Sequence, residues 1–479
     1  MKTQAFNPYL PSWEYIPDGE PRVFGNRLYI YGSHDRFGGG GFCLNDYTCW
    51  SAPADDLGDW RKEGVIYSVS EDPLNQDGKN NGYAPDVVQG PDGRYYLYYA
   101  LHLNTVISVA VCDTPAGSYR FYGHVRYADG KISGQERGDI NNFDPGVLVD
   151  EDGSVHLYTG FAPKGMMKKL MEMRGKRVDG CYHMELEQDM LTVKKGPEQI
   201  LKGAETAQEG GYKEHAFFEA SSMRKMNGTY YLIYSSIQSH ELCYCTAPKP
   251  EGPFTWQGTL VSIGDLGMPG NEGGAVNYLG NTHGSIVQVN GKWYVFYHRQ
   301  TNCHPYSRQG CAERVEILPD GRIAQAEMTS CGLNDGPLKG RGRYEARIAC
   351  NLSSDKGCCS VEKEKKAHHP YFTQSGPDRE GNGDQYIANL RDGFWAGFKY
   401  FEFDGENFIT VRVRGNGKGR LAVSTQRVGG AAAEIPVDPG EDWTEFSSGM
   451  EPLHGKQALY FTFYGSGSVD FMDFEIKRG

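Results

Sequence analysis

Five segments of one pattern, a turn glycine followed by alternating aromatic and aliphatic residues, recur along the first two thirds of the chain. They are GNRLYIYG from Gly25, GRYYLYYA from Gly93, GSVHLYTG from Gly153, GTYYLIYS from Gly228 and GKWYVFYH from Gly291. Each reads as the second strand of a hairpin. The glycines stand 60 to 75 residues apart, and a short strand precedes each of them (PDGEPRVF, APDVVQGPD, FDPGVLVDED, FEASSMRKMN and HGSIVQVN). A loose but sustained period of hairpins predicts an all-β chain that opens with a five-bladed β-propeller with variable loops. The turns Pro-Asp-Gly at 91–93, Glu-Asp-Gly at 151–153 and Met-Asn-Gly at 226–228 support the same hairpins. A helix is expected only around residues 166–173.

Beyond the fifth repeat, ERVEILPDGRIAQAEMTSCG reads as closing strands and LNDGPLKGRGR as a connector, which sets a domain boundary near Gly332. Residues 1–332 then form the propeller. Residues 333–479 carry further alternating runs (YFEFDG, NFITVRVRG, GRLAVSTQ, ALYFTFYGS, VDFMDFEIK) at short spacing, the pattern of a β-sandwich of jelly-roll type. The segment KEKKAHHPYF from Lys363 reads as a charged surface loop.

Charge narrows the partners. With 49 Lys and Arg against 61 Asp and Glu the 479 residues carry a net charge of −12, so the broad positive field needed for nucleic acid or anionic lipid is missing. No apolar run approaches the roughly 20 residues of a membrane span, and the N-terminal stretch has no apolar core or small-residue cleavage site. The chain as it stands is therefore expected in the cytoplasm. The 12 cysteines are scattered without a Cys-x-x-Cys pair and read as reduced, buried small hydrophobes; Cys303, His304 and Cys311 lack a fourth ligand at zinc-site spacing.

Counting back seven to nine residues from each repeat glycine lands on an ionisable residue: Asp18, Asp86, Asp144, Glu219 and His283. If the repeats are blades around one axis, the start of each innermost strand lies near the central channel, and these groups converge on one cavity. A lone Asp here is an ordinary turn residue, but five coincident offsets are not. Glu219 is set among apolar residues in HAFFEASS, where desolvation and neighbouring carboxylates raise a pKa, as a general acid requires. Two carboxyl groups across a cavity, one protonated and one ionised, are the minimum equipment for glycoside hydrolysis. Trp13, Tyr15, Phe37, Tyr83 and Phe218 offer faces for sugar stacking.

The ordered set PDGEPRVF, APDVV, NNFDPGVLVDEDG, FFEASSMRK and THGSIV resembles glycoside hydrolase family 43, whose members are five-bladed propellers. The resemblance implies an inverting hydrolase that needs no cofactor for its chemistry and acts on arabinose- or xylose-containing oligosaccharides and polysaccharides. By position it makes Asp18 the general base, Asp144 the carboxylate that tunes and orients the acid, and Glu219 the general acid. It places His283 at the channel floor, beside a calcium ion held largely by water. It assigns Asp86 to substrate binding, alongside the stacking face expected of Phe218, with an arginine of the last blade, Arg308 in preference to Arg299, as the cation expected beside Asp144. The last third is similar to family 6 carbohydrate-binding modules, a resemblance that allows a structural calcium in the sandwich, but has Gly465-Ser466-Gly467-Ser468 where such modules commonly place a sugar-contacting Asn. Exo-acting α-L-arabinofuranosidase or β-xylosidase activity is the expected function, ahead of endo-arabinanase activity or a non-catalytic glycan-binding propeller.

Overall fold

The computed structural model describes residues 2–208, 210–271, 273–360, 368–378, 381 and 383–479. Residues 363–367 of the basic run named above lie outside the described residues.

Five sheets follow one another in chain order, antiparallel throughout except where Arg126–Tyr127 joins the edge of the third in parallel. The first four begin at Glu20–Phe24, Gly82–Gln89, Gly146–Val149 and Phe217–Met226, and the fifth at Ile286–Val289. The second strand of each is the repeat read from the sequence: Arg27–Tyr31, Tyr95–Leu101, Val155–Phe161, Thr229–Ser236 and Lys292–Thr301. These strands are apolar on both sides because both faces of every blade are covered. One core joins blades one and two (Tyr31, Tyr47, Val87, Leu97, Tyr99), and four more join each later pair in turn. The last of these packs blade five (Val287, Phe296) against blade one (Leu28, Ile30, Trp50) and so closes the ring. A backbone bridge between Gly19 and Gly284 adds to the closure.

Among the described residues, blade five has three strands rather than four. The expected closing strands after Val315 do not extend it. Instead Ala326 bridges to Val261 on the outer edge of blade four. The edge of blade five is met by the N-terminal segment, where Asn7 Nδ2 donates to the Ala312 carbonyl at 2.8 Å and Asn7 Oδ1 accepts from Ala312 N at 2.9 Å. The helix near residue 166 is present as Gly165–Met173.

The C-terminal strands form a sandwich around a core of their own that includes Phe398, Phe461, Phe471 and Phe474. Two strands, Trp395–Gly415 and Thr444–Ser466, run through most of it, and shifts of register near Phe398 and Asp404 let each bend and serve both layers. The segment between the two bodies is stitched to the propeller. Arg299 donates to the carbonyls of Ala349 and Arg347 at 2.9 and 2.7 Å, and its guanidinium lies 3.9 Å from the centre of the Phe372 ring. Lys399 Nζ reaches Asp265 and Glu327 at 3.0 and 2.8 Å.

Candidate active site

A cavity of about 640 Å³ opens on the propeller axis, lined among others by Asp18, Asp144, Glu219, Phe218, His283 and Arg308. That volume suits a small-molecule site. Asp18 and Asp144 each stand just before the first strand of their blade, with φ of 56° and 47°. These are left-handed conformations that Asp tolerates better than most residues and that gather at functional sites. Ala84 and Ala220 share the feature, with φ of 38° and 67°. Glu219 therefore sits inside its strand, one residue before the equivalent kink, and its carboxyl faces the cavity.

The same comparison explains why Asp86 does not belong here. In blade one Gly25 opens a two-residue turn, since Phe24 pairs with Arg27. In blade two Gly93 is the fourth residue of a five-residue turn between Gln89 and Tyr95. Counting back from the glycine thus lands two residues beyond the kink, which is Ala84. Asp86 is wholly buried; its oxygens accept from Arg22 Nε and Nη2 at 2.9 and 2.5 Å and from Val147 N at 2.8 Å. It ties three blades together and does not line the cavity. Removing one partner of a buried pair costs about 3–5 kcal/mol. Asp86→Ala is expected to lower the melting temperature by several degrees while the KM of the folded enzyme stays within about twofold, which calorimetry and kinetics on one preparation check. A large rise in KM at unchanged melting temperature would return Asp86 to the substrate.

The arginine expected beside Asp144 lies elsewhere. Arg308 Nη1 is 2.9 Å from Asp18 Oδ1, while its Nε and Nη2 clasp both oxygens of Asp35 at 2.9 and 3.0 Å. Asp144 instead has His283 Nδ1 at 3.7 Å and accepts from Ala220 N at 3.1 Å. Arg299, the alternative arginine, belongs to the interface with the C-terminal segment. Asp35 and His298, buried behind the cavity lining against Arg308 and Asp18, are residues that the repeat did not reveal. His298 Nδ1 accepts from Asp18 N at 3.1 Å, and burial, with Arg308 nearby, lowers its pKa to about 3, so the ring is neutral.

These neighbours separate the carboxyl groups. Burial alone would raise Asp18, but the charge of Arg308, the largest opposing effect, outweighs it and holds Asp18 below the usual carboxylate range. Among the described residues Glu219 has no such partner; burial first, then the charge of Asp18, push it up to about 8 against a weaker opposing pull from Arg308. Asp144 is also raised well above the ordinary range by burial, partly offset by His283, and by the charges of Glu219 and Asp18. The negative charge of the cluster settles on Asp18, and a proton stays on the Glu219 side.

The apolar wall is aromatic. Phe218 packs on Phe161 at 5.5 Å, Phe161 on Phe143 at 5.1 Å and Phe143 on Tyr83 at 6.0 Å between ring centres, and all four line the cavity. Trp13, Tyr15 and Phe37 do not line it; Trp13 packs on Trp50, and Tyr15 on Phe37 with its hydroxyl donating to Gln374.

At the floor, His283 Nε2 lies 3.9 Å from Glu20 Oε1, and both atoms are buried without a hydrogen-bond partner among the described residues. A calcium ion asks for six to eight oxygens. One carboxylate oxygen and one imidazole nitrogen supply two positions, so an ion here would be held largely by water.

A low carboxylate and a high carboxyl group facing one cavity can activate water on one side and protonate a leaving oxygen on the other, and with the five-bladed ring they define a glycoside hydrolase. Residues 16–323 match the model of the family described as glycosyl hydrolases family 43. The chain belongs to this family.

Among relatives, a xylosidase/arabinosidase of Thermoclostridium stercorarium is 50% identical over 484 residues, covering 99% of both chains. A xylosidase/arabinosidase of Bacteroides ovatus is 30% identical over 68% of this chain and 99% of its own. Among solved structures, a family 43 β-xylosidase/α-arabinofuranosidase from a compost microbial metagenome, in complex with xylotriose and calcium-free, matches 68% of this chain and 98% of its own with a TM-score of 0.52 at 26% identity. An arabinoxylan arabinofuranohydrolase from Bacillus subtilis shares the fold along 100% of this chain and 99% of its own, with a TM-score of 0.51 at 20% identity.

Proposed function

We propose that the enzyme releases terminal α-L-arabinofuranose and β-D-xylose from arabinoxylan and xylo-oligosaccharides in a single inverting displacement. The observation that carries the assignment of roles is that Asp18 and Glu219 line one cavity while only Asp18 has Arg308 at 2.9 Å. Glu219 gives its proton to the glycosidic oxygen. Asp18, ionised beside Arg308, takes a proton from the water that attacks the anomeric carbon on the other face. Asp144 accepts from the backbone of Ala220, next to the acid, and its position fixes where Glu219 stands. Phe218 and the aromatic wall pack on sugar faces, and His283 closes the floor. No step is routed through a metal; an ion beside His283 and Glu20 would keep most of its own water.

The division near Gly332 accords with this reading. Residues 1–332 hold the chemistry, and residues 333–479 buttress the propeller and complete the cavity rim through Ser360. The xylosidase/arabinosidase relatives support both pentoses as the sugar released.

Incubation with arabinoxylo-oligosaccharides and with linear xylo-oligosaccharides, followed by identification of the monosaccharide released, tests the proposal. Arabinose from the first series or xylose from the second supports it, and binding of both without release of either refutes it. The pH profile of kcat/KM is expected to be bell-shaped. The alkaline limb falls near 8 as Glu219 loses the proton it must donate, and the acid limb lies below the ordinary Asp value of 3.8 because Arg308 keeps Asp18 ionised. A profile already falling between pH 5 and 6 on the alkaline side would contradict Glu219 as the acid.

A further inference from the structure

The hairpin that ends the second strand of blade five turns through two residues only, since Thr301 pairs with His304 around Asn302 and Cys303. Their φ values are 59° and 43°. A two-residue turn with both residues left-handed favours Asn followed by Gly. This turn has the Asn, but its second residue is a cysteine, which pays a steric penalty that glycine avoids. The side chain placed there meets another thiol: Cys303 Sγ lies 2.8 Å from Cys359 Sγ, across 56 residues of sequence. That is closer than two unbonded sulfurs rest, and a shift of under about 1 Å reaches the bonding distance of roughly 2.05 Å.

The backbone on both sides is held in place. Asn302 N donates to the Phe372 carbonyl at 2.6 Å, and the Thr373 hydroxyl donates to Asn302 Oδ1 at 3.1 Å, which docks the hairpin tip on the C-terminal body. On the other side Leu279 N donates to the Cys359 carbonyl at 3.0 Å, and Leu279 bridges to Ser360. Leu279, Gly280, Asn281 and Ser360 form one side of the catalytic cavity. Arg308 lies on the strand that leaves the Cys303 turn. The thiol pair therefore sits where the C-terminal segment is attached to the cavity wall.

We infer that Cys303 and Cys359 form a reversible disulfide that pins the C-terminal contribution to the substrate cavity. A low-molecular-weight disulfide is the oxidant. The thiolate of Cys303, the half-exposed member of the pair, attacks one sulfur of that reagent and expels one thiol. The thiolate of Cys359 then attacks the mixed disulfide at Cys303 and expels the second. Two protein thiols and one external disulfide become one protein disulfide and two external thiols, so protons and electrons balance. Cys358, beside Cys359 and also half-exposed, is the competing partner.

The test uses the full chain, equilibrated with oxidised glutathione or with dithiothreitol, alkylated while folded, and mapped by peptide mass spectrometry. The expected product is one peptide pair joining Cys303 to Cys359, present in the wild type and in Cys358→Ser and absent in Cys303→Ser and Cys359→Ser. Closing a loop of this length raises the melting temperature of the oxidised protein by roughly 3 to 8 °C over the reduced one, and the difference vanishes in Cys303→Ser. Separate alkylation of both cysteines after oxidation, a stable glutathione adduct on Cys303, or a Cys303 to Cys358 link would each overturn the assignment. The map of the wild type alone decides the matter if a serine variant does not fold.

Discussion

Glu219→Gln is expected to lower kcat on unactivated xylo- and arabino-oligosaccharides by about 10²- to 10⁴-fold, the usual contribution of a positioned general acid. The loss shrinks on aryl pentosides with a good leaving group, because their oxygen departs without a proton. That contrast separates loss of the acid from a general collapse of the site. The same substitution is expected to stabilise the fold at neutral pH. Glu219 is raised from an ordinary 4.5 to about 8 in the folded protein, so the folded state holds a proton that the unfolded chain has released. Its contribution to stability is complete below about 4.5 and is lost as the pH climbs from there through 8. At pH 7 the strain so stored is on the order of 3 kcal/mol, and a neutral amide relieves it. Thermal unfolding of the two proteins at pH 5 and pH 7 checks this: the variant gains roughly 3 to 6 °C at the higher pH and little at the lower. Undiminished turnover of oligosaccharides, or equal stability at pH 7, would remove Glu219 from the role of acid.

Arg308→Met carries the second large effect, in both stability and rate. The guanidinium spans Asp18 and Asp35, and all three side chains are almost fully buried. Methionine keeps much of the volume but leaves two carboxylates without their cation, at a cost of about 3–5 kcal/mol. Without the arginine, burial dominates at Asp18, and the base no longer stays ionised through the acid range. The acid limb of kcat/KM is expected to move upward, into or above the ordinary carboxylate range, alongside a fall in melting temperature. Arg308→Lys retains a charge but not the fork that fits both oxygens of Asp35, so it is expected to recover most of the acid limb and only part of the stability. A methionine variant with wild-type pH dependence would show that Arg308 does not set the state of Asp18.

The parts of this site that were legible in the sequence are those that the repeat carries. The tyrosine-rich second strands announce the blades because both faces of each blade are buried, as in Tyr95–Leu101. Asp18, Asp144, Glu219 and His283 could be placed at the axis by their common distance from a turn glycine, and Arg308 only by the family resemblance, which set it beside Asp144 rather than Asp18. The same counting misled at Asp86, because the turn at Gly93 is longer than the turn at Gly25 and the register slipped by two residues. Asp35 was not legible: it lies in the long loop between the second and third strands of blade one, outside the repeated pattern, and only the fold brings it to Arg308. His298 closes the fifth repeat, and nothing in its spacing distinguishes it from a core residue. Trp13, Tyr15 and Phe37 have the composition of a sugar platform but pack away from the cavity, whereas Phe143 and Phe161 reach it from blade three.

The anomeric form of the first sugar released, followed by proton NMR in the opening minutes of hydrolysis, tests the pairing of Asp18 with Glu219 most directly. A one-step displacement, with water activated by Asp18 and the leaving oxygen protonated by Glu219, delivers the β anomer of L-arabinofuranose from α-linked arabinosides and α-D-xylose from β-linked xylosides before mutarotation mixes them. Initial release of the sugar with the configuration of its glycosidic bond retained would contradict that pairing.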